Sequence, residues 1–268
     1  MSKGVDCATR LTEKTAKGIA DAGYEFVGRY LVPLRGNLRW KALTRAEARI
    51  ISDAGLQILT VYETTADRAK GGRVYGTIDG ASARECADAI GLPKNAVIYF
   101  AIDYQTKDYD EVEQYLSGVK DFIGPYKVGV YGSYYVVEAM RQRGVTQYLW
   151  QCVAWSYRMV SPHYNVYQHT AGMSVAGVAV DINDCPNMVK AGMWSYKEDG
   201  DNMERFNRIQ DMPEWAQADI KALCDSKVLR GYGTAVDDDG RPADLNMSED
   251  MIREIIWCKR MVEKGGIA

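Results

Sequence analysis

Short apolar runs alternate with amphipathic segments through about residue 195 of the chain. The runs suit strands that are buried on both faces, and the segments between them suit helices. This alternation predicts an α/β protein with a parallel sheet, and eight strands favour closure into a (β/α)8 TIM-like barrel. The predicted strands are 4–8, 25–31, 56–63, 96–103, 127–131, 148–155, 165–169 and 178–182. The predicted helices are 12–22, 44–54, 81–90, 108–122 and 133–143, and the link to the seventh strand is too short for a full helix.

Two of the predicted helices have clear start signals. Thr44 and Glu47 have the spacing of a capping box, in which each side chain binds the backbone N–H of the other residue. Asp108 stands where an N-cap is expected for the fourth helix. These signals support the order of elements in the barrel.

After about residue 195 the pattern changes. A polar stretch over 196–205 predicts a linker, which separates a barrel domain at 1–195 from a module at 206–268. Two helices are predicted in the module, at 213–226 and 248–263, so a small all-α fold is expected. A unit of about 60 residues is marginally stable alone. We therefore expect it to dock on the barrel, to dimerise or to bind a ligand.

Composition excludes several classes of protein. The formal net charge is -3 over 268 residues, which argues against a nucleic-acid-binding protein. No run of about 18 apolar residues is present, so no membrane insertion is expected. The first residues lead directly into a strand without an apolar signal region, so Sec export is not expected.

The six cysteines are scattered and contain no C-x-x-C pair. A zinc site is therefore not predicted, and neither a metal nor a cofactor is expected. Cys7 and Cys152 stand near predicted strand ends, so a nucleophilic thiol is one alternative. Its general base would have to be His163 or His169.

Four of the predicted strands end on a carboxylate, namely Asp6, Glu63, Asp103 and Asp181. Burial explains the apolar part of each strand but not the acid. In a β/α barrel the C-terminal ends of the strands form the face that carries the active site. Four acids on one rim indicate acid/base chemistry on a neutral polar substrate, with a sugar as the leading candidate.

Other side chains near the strand ends could bind such a substrate. Aromatic faces stack on sugar rings and amides hydrogen-bond to hydroxyls, although ordinary barrel packing is the alternative for each aromatic. An arginine here could also pair with one of the acids and change its pKa. The candidates are Arg29, Tyr30, Gln105, Tyr131, Trp150, Gln151, Trp155 and Gln168.

Residues 4 to about 190 resemble a glycoside-hydrolase-like family formerly described as a domain of unknown function, DUF1906. The motifs of the resemblance are 4–6, 27–31, 41–44, 54–56, 61–63, 98–104, 128–132, 150–151, 167–168 and 180–183. That family has a β/α barrel similar to the family 25 lysozymes and occurs in bacterial wall-associated proteins and phage endolysins. The resemblance implies peptidoglycan glycan strands as the substrate.

The C-terminal unit resembles a single S-layer homology motif. The matching residues are Trp215, Ala216, Ile220, Leu223, Val228, Leu229, Arg230, Gly231, Leu245, Asn246, Met247, Ser248 and Met251. The resemblance implies a module that binds a secondary cell-wall polymer, and self-association is the alternative.

By analogy with family 25 lysozymes, Asp6, Asp103 and Asp181 lie at the ends of strands 1, 4 and 8. In those lysozymes strand 4 ends in an acid-x-Glu pair, whereas this chain has Asp103, Tyr104 and Gln105. One interpretation makes Glu63 the general acid, its pKa raised by its surroundings, with Asp103 as its partner. The other is a barrel that binds glycan without cutting it.

The function predicted from the sequence is therefore a lysozyme-like glycoside hydrolase, a muramidase of the phage endolysin type. Such a protein is made in the host cytoplasm without a signal peptide and reaches the wall after holin-type release. A non-catalytic module that binds wall glycan in the same groove is the alternative. A thiol-dependent amidase or peptidase is a third interpretation.

Overall fold

The computed structural model of the chain describes residues 1–34, 36–196, 206–230, 236–243, 245, 247 and 249–263. The chain divides into two compact units, Met1–Lys197 and Glu198–Ala268. All but the first residue of the predicted linker at 196–205 lies outside the described residues.

The first unit is a closed barrel of eight strands in chain order. The strands are β1 (Ser2–Asp6), β2 (Phe26–Tyr30), β3 (Gln57–Tyr62), β4 (Val97–Ala101), β5 (Lys127–Gly132), β6 (Leu149–Cys152), β7 (Val166–Val175) and β8 (Val178–Cys185). The helices are α1 (Glu13–Asp21), α2 (Arg45–Asp53), α3 (Gly72–Ile90), α4 (Tyr109–Phe122) and α5 (Tyr134–Gln142). The predicted strand order is confirmed, the helices other than α3 lie close to their predicted positions, and no helix separates β6 from β7.

The last strand departs from the predicted parallel sheet. β8 is antiparallel to both β7 and β1. Ala176 and Gly177 alone connect β7 to β8, both with positive φ (50° and 78°). A two-residue turn of this kind joins only antiparallel strands. Asp181 therefore lies inside β8 and not at its end, yet it pairs with Asp6 and reaches the predicted rim.

Helix α3 begins nine residues before the predicted start at residue 81, within a glycine-rich stretch that is a poor helix former in isolation. Tertiary packing explains the difference. A Cβ added at Gly76 or Gly80 would collide with the backbone of α4 at Tyr115 or Val119. The glycines therefore allow α3 and α4 to approach closely, and this packing outweighs the low helix propensity.

Side chains of the strands alternate between the barrel interior and the helices outside, as the pleat requires. Phe26, Leu59, Tyr99 and Trp150 form part of a buried cluster inside the barrel. A Cβ added at Gly28 would meet Asp6 and Trp150, which places these residues side by side on the interior face. The interior side chains near the C-terminal ends of the strands form the rim of the candidate site.

The described part of the second unit contains α6 (Glu214–Asp225) and α7 (Glu249–Glu263), close to the two predicted helices. A short 3-10 helix at Ile209–Asp211 and two isolated antiparallel bridges accompany them, Phe206 with Met247 and Val236 with Pro242. Its own core includes Ala216, Ile220 and Ile252. The predicted all-α module is therefore not confirmed, because the described residues also form two antiparallel bridges. Among them, no helix of either unit has the length and apolar character needed to cross a bilayer.

Candidate active site at the barrel rim

Asp6 and Asp181 meet at the rim through one shared amide. The Nε2 atom of Gln168 donates to Oδ2 of Asp6 (2.8 Å) and to Oδ2 of Asp181 (3.3 Å). Nδ2 of Asn183 also donates to Oδ2 of Asp6, at 2.7 Å. The backbone N–H of Gly172 donates to Oδ1 of Asp181 (2.8 Å). Both acids are thus held in fixed positions by groups on β7 and β8.

Burial raises the pKa of Asp6 from 3.8 to about 7. The hydrogen bonds from Asn183 and Gln168 oppose the rise, and the charges of Asp181 and Asp103 reinforce it. Desolvation prevails because the carboxyl is only 8% exposed. Burial therefore shifts Asp6 toward its protonated form.

Glu63 and Asp103 differ in their surroundings, although both are partly exposed. Nζ of Lys41 lies 3.6 Å from Oε2 of Glu63 and 4.3 Å from the centre of the Tyr30 ring. The pKa of Asp103 is raised, first by burial and then by the charges of Glu63 and Asp181, while Lys41 opposes the rise. Glu63 thus has a nearby cation, whereas Asp103 is shifted toward its protonated form.

Tyr30 shows that the four acids share one site. Burial is the main cause of its raised pKa, and the next causes are the charges of Glu63, Asp6, Asp103 and Asp181. The structure therefore brings together all four carboxylates that the sequence singled out. Their role in catalysis stays a prediction.

Tyr131 and Trp150 support the rim from below. The Tyr131 hydroxyl donates to Oε1 of Gln168 (2.9 Å), and Nε1 of Trp150 donates to Oδ1 of Asn183 (2.9 Å). The two rings pack edge to face at 5.2 Å. Trp150 is buried, so its ring forms the floor of the site and offers no open face to a sugar.

Arg29 and Gln151 do not face the groove, which corrects the expectation for both. Arg29 follows the interior residue Gly28, and Gln151 follows the interior residue Trp150. Because side chains alternate along a strand, Arg29 and Gln151 point outward. Arg29 is fully buried; its Nε donates to Oε1 of Glu47 (2.8 Å) and its Nη1 to the carbonyl of Cys7. It therefore pairs with Glu47 of α2, not with a rim acid. The hydrogen bonds of Gln151, also fully buried, are to the loop at Met159 and Ser161.

The Glu47 side chain departs from the predicted capping box as a consequence. Thr44 does accept from the backbone N–H of Glu47 at 3.1 Å. The carboxylate of Glu47, however, accepts from Arg29 and from the backbone N–H of Leu11 (2.8 Å). A buried ion pair thus replaces the return half of the box.

Gln105 and Trp155 lie in a cleft with a volume of about 390 Å³, and none of the four acids lines it. Gln105 is exposed, and its Nε2 donates to the Tyr157 hydroxyl at 2.7 Å. The cleft is lined by Gln105, Thr106, Lys107, Tyr109, Ser133, Tyr135, Trp155 and Tyr157. A larger cavity of about 470 Å³ opens at the start of β4, β5 and β6, and none of the four acids lines it.

Reasoning from the sequence missed Lys41 and Asn183 as site residues. Asn183 could have been found, because it stands two residues after Asp181 and so shares its face of the strand. Lys41 lies in the long connection before α2, where no periodicity indicates the direction of a side chain. Only the tertiary structure brings it to Glu63.

The thiol alternative lacks an activated nucleophile among the described residues. Cys7 and Cys152 are buried, and their thiols lie near the carbonyls of Thr9 and Ala154. Burial raises the pKa of Cys7 to about 11 and that of Cys152 to about 12. A catalytic thiol needs the opposite change. In the same residues no group of three or more metal-binding side chains occurs.

A closed β/α barrel with convergent carboxyl groups at its rim defines a glycoside hydrolase-like protein. Residues 17–186 match the model of the Rv2525c-like, glycoside hydrolase-like domain family. The match covers more than half of the chain, so the chain belongs to this family.

Two Bacillus subtilis (strain 168) proteins described as uncharacterized are similar in sequence. FadG is 30% identical over 154 residues, and YbfG is 32% identical over 162 residues. Each match covers 53% of this chain, but only 27% of FadG and 22% of YbfG. The chain therefore spans about a quarter of the curated relatives that it matches.

Two solved structures are similar in fold. The Tat-secreted protein Rv2525c of Mycobacterium tuberculosis, in complex with L-tartrate, has a TM-score of 0.64 and 25% identity, covering 72% of this chain and 99% of that one. The modular autolysin LytC of Streptococcus pneumoniae has a TM-score of 0.51 and 14% identity, covering 68% of this chain and 46% of that one. At that identity the likeness to LytC shows the fold alone.

Proposed function

We propose that this chain hydrolyses glycosidic bonds in the glycan strands of peptidoglycan, as a lysozyme-like glycoside hydrolase. The observation that carries the proposal is the contrast between Asp103, whose pKa is raised, and Glu63, which lies beside Lys41. Glycoside cleavage uses one protonated and one charged carboxyl group. A carboxyl group that is shifted toward its protonated form, close to one that is paired with an ammonium group, is therefore suited to the two roles.

In this proposal Asp103 is the general acid and Glu63 the charged partner, which reverses the roles expected from the sequence. The raised pKa lets Asp103 deliver a proton to the leaving oxygen. The ammonium of Lys41 compensates the charge of Glu63, which acts as nucleophile or base. Asp6 and Asp181 support the pair, because Gln168 joins them and the charge of Asp181 helps to raise the pKa of Asp103 and that of Asp6.

The choice of substrate draws on family membership and on one neighbour. The family model is that of a glycoside hydrolase-like domain. LytC, which shares the fold, has been solved with a synthetic peptidoglycan ligand. A rim that holds several carboxyl groups beside aromatic and amide side chains suits a neutral, hydroxyl-rich chain.

The test is loss of turbidity of purified Gram-positive cell walls. Wild type is compared with Glu63→Gln and Asp103→Asn, and Asp21→Asn on exposed α1 is the matched control. We expect lysis by wild type and by the control, loss in both site variants, and new reducing ends on the released sugars by mass spectrometry. Lysis that survives in both site variants contradicts the proposed pair.

A second candidate function is binding of wall glycan without cleavage. The exposed amide of Gln105 favours it, because the family 25 lysozymes carry an acid at that position and here the amide is hydrogen-bonded to Tyr157. Retention on cell walls without any released fragment would support this alternative.

The setting and the C-terminal unit are also proposals. We propose that the protein acts at the bacterial wall as an endolysin released by a holin. The second unit, which resembles an S-layer homology motif, would bind a secondary wall polymer or associate with another copy. Pull-down on purified wall polymer and the molar mass in solution distinguish these two roles.

A further inference from the structure

The cleft that contains Gln105 is formed by three loops that leave the rim of the barrel. Gln105 follows β4 two residues after Asp103, Ser133 follows β5 directly, and Trp155 follows β6. The cleft therefore begins two residues along the chain from Asp103, on the loop that follows β4. Its volume of about 390 Å³ lies within the usual range for small-molecule sites, about 300–1,000 Å³.

The loop after β6 is held in an unusual backbone conformation. Trp155, Tyr157 and Arg158 have positive φ angles of 55°, 49° and 68°. Bulky residues rarely adopt this conformation, and strained positions of this kind persist only where the surroundings enforce them. Strained positions cluster at ligand-binding sites, so the strain in this loop is a reason to examine the cleft as a binding site.

The surroundings that enforce the conformation are specific hydrogen bonds. The buried amide of Gln151 binds the carbonyl of Met159 and the N–H of Ser161, both at 2.8 Å. Oγ of Ser156 donates to the carbonyl of Cys152 (2.6 Å) and accepts from the N–H of Tyr134 (2.8 Å). These bonds fix the loop to β6 and to the start of α5, so it is ordered before any ligand arrives.

The result is an open aromatic surface with polar groups at its edge. Tyr157 is 67% exposed and Tyr135 is 41% exposed, and their rings are 6.2 Å apart. Gln105 holds the Tyr157 hydroxyl in place at 2.7 Å. Lys107 is the only charged side chain in the described lining of the cleft. Exposed rings beside amides and hydroxyls suit a neutral sugar better than an ionic or purely apolar ligand.

We propose that this cleft is a distal glycan subsite, which binds a sugar unit of the same strand remote from the bond that is cut. The proposal rests on the proposed function for the identity of the strand as wall glycan. Tyr157 and Tyr135, which reasoning from the sequence did not select, join Trp155 and Gln105 as the residues that bind the sugar. The subsite makes the protein select long strands over short ones.

The experiment measures binding, not cleavage, in the Asp103→Asn background. Isothermal titration uses N-acetylglucosamine oligomers of two and of six units. The site variants are Tyr157→Ala and Trp155→Asn, because asparagine tolerates positive φ and replaces the ring without adding strain. Phe122→Ala is the matched control, since Phe122 is an exposed aromatic (48%) at the end of α4 and outside the cleft.

We expect each site variant to bind the six-unit oligomer about threefold to tenfold more weakly, as loss of one aromatic contact implies. Affinity for the two-unit oligomer, and all affinities of Phe122→Ala, should stay unchanged. Tyr157→Phe keeps the ring and should retain most of the affinity. Thermal unfolding checks that every variant is folded.

Equal affinity of both site variants and the control for the long oligomer would overturn the subsite. Absence of any binding by the background protein would overturn it too. If binding depends on oligomer length and on Tyr157, the subsite is supported. If wild type then releases no fragment from cell walls, the proposed hydrolase is rejected. Each of the two proposals can therefore be refuted without refuting the other.

Discussion

Asp6→Asn should stabilise the barrel unit at alkaline pH. The Asp6 carboxyl has a pKa of about 7 in the folded protein and an ordinary value of 3.8. Below pH 3.8 the carboxyl is neutral in both the folded and the unfolded state, so its ionisation does not change the free energy of unfolding. As the pH rises toward 7 and above, the unfolded chain ionises Asp6 freely while the folded barrel must bury the charge.

The size of the effect follows from the two pKa values. A difference of about 3 pH units corresponds to roughly 4 kcal/mol in the free energy of unfolding. Relative to Asp6→Asn, wild type should therefore lose up to this amount between pH 4 and pH 8, because the loss accumulates above pH 3.8 and is complete once the pH has passed about 7. Asparagine cannot ionise, and its oxygen still accepts the hydrogen bonds from Gln168 and Asn183. The Asp6→Asn variant should be similar to wild type at pH 4 and more stable at pH 8.

The assay must report on the barrel alone, because a chain of two units need not unfold in one step. Hydrogen exchange of peptides from β1, measured at pH 4, 6 and 8 with correction for the intrinsic rate, meets this need. Asp21→Asn is the control, since that carboxylate is 62% exposed and pairs with Lys17 at the surface of α1. A variant no more stable than wild type at pH 8 would refute the reasoning. It would mean that the amides of Gln168 and Asn183 solvate the ionised carboxylate fully.

Three further changes test the structure elsewhere. Arg29→Met should lower the free energy of unfolding by about 3–5 kcal/mol in urea titration, because the buried Glu47 carboxylate loses its buried cation and keeps the more distant, half-exposed Arg10 at 3.9 Å. Gly28→Ala should lower the free energy of unfolding by about 1–3 kcal/mol and reduce wall lysis, because the new Cβ would lie 2.7 Å from the Cβ of Asp6. Iodoacetamide at pH 8 should leave activity unchanged, because burial raises the pKa of Cys152 to about 12.

Each of these expectations has a contradicting result. An Arg29→Met variant as stable as wild type would show that Glu47 is neutral or hydrated. Wild-type activity of Gly28→Ala would mean that the rim tolerates a displaced Asp6. Rapid inactivation by iodoacetamide that follows labelling of Cys152 would restore the thiol alternative.

The sequence contained enough to place the acids on one rim. Burial on both faces explains every residue of the strand before Asp103 but not the acid itself, and parallel strands bring their C-terminal ends to one face. Asp181 lies at this rim for a different reason: β8 runs antiparallel to β1, and its register pairs Asp181 with Asp6. The predicted strands 165–169 and 178–182 leave eight residues between them, which is too few for the crossover of about a dozen residues that a parallel pair needs, so the hairpin could have been predicted.

The alternation of strand side chains would have excluded two of the predicted groove residues. Tyr30 and Arg29 are neighbours on β2 and cannot both face the interior, and the same holds for Trp150 and Gln151 on β6. Which member of each pair points inward depends on the packing of the barrel. The structure turns Arg29 toward α2 and Gln151 toward the loop after β6.

By itself, the sequence determined the order of the strands and helices of the barrel and the acids at the rim, because periodicity and breaks in it are local properties of the chain. Only the tertiary structure decided the electrostatics and the cleft. The raised pKa of Asp103 arises from burial and from charges on other strands, and Lys41 reaches Glu63 across a long connection. Gln105 and Tyr157 meet although 52 residues separate them. Contacts of this kind depend on how distant segments pack, and no local pattern of residues encodes them.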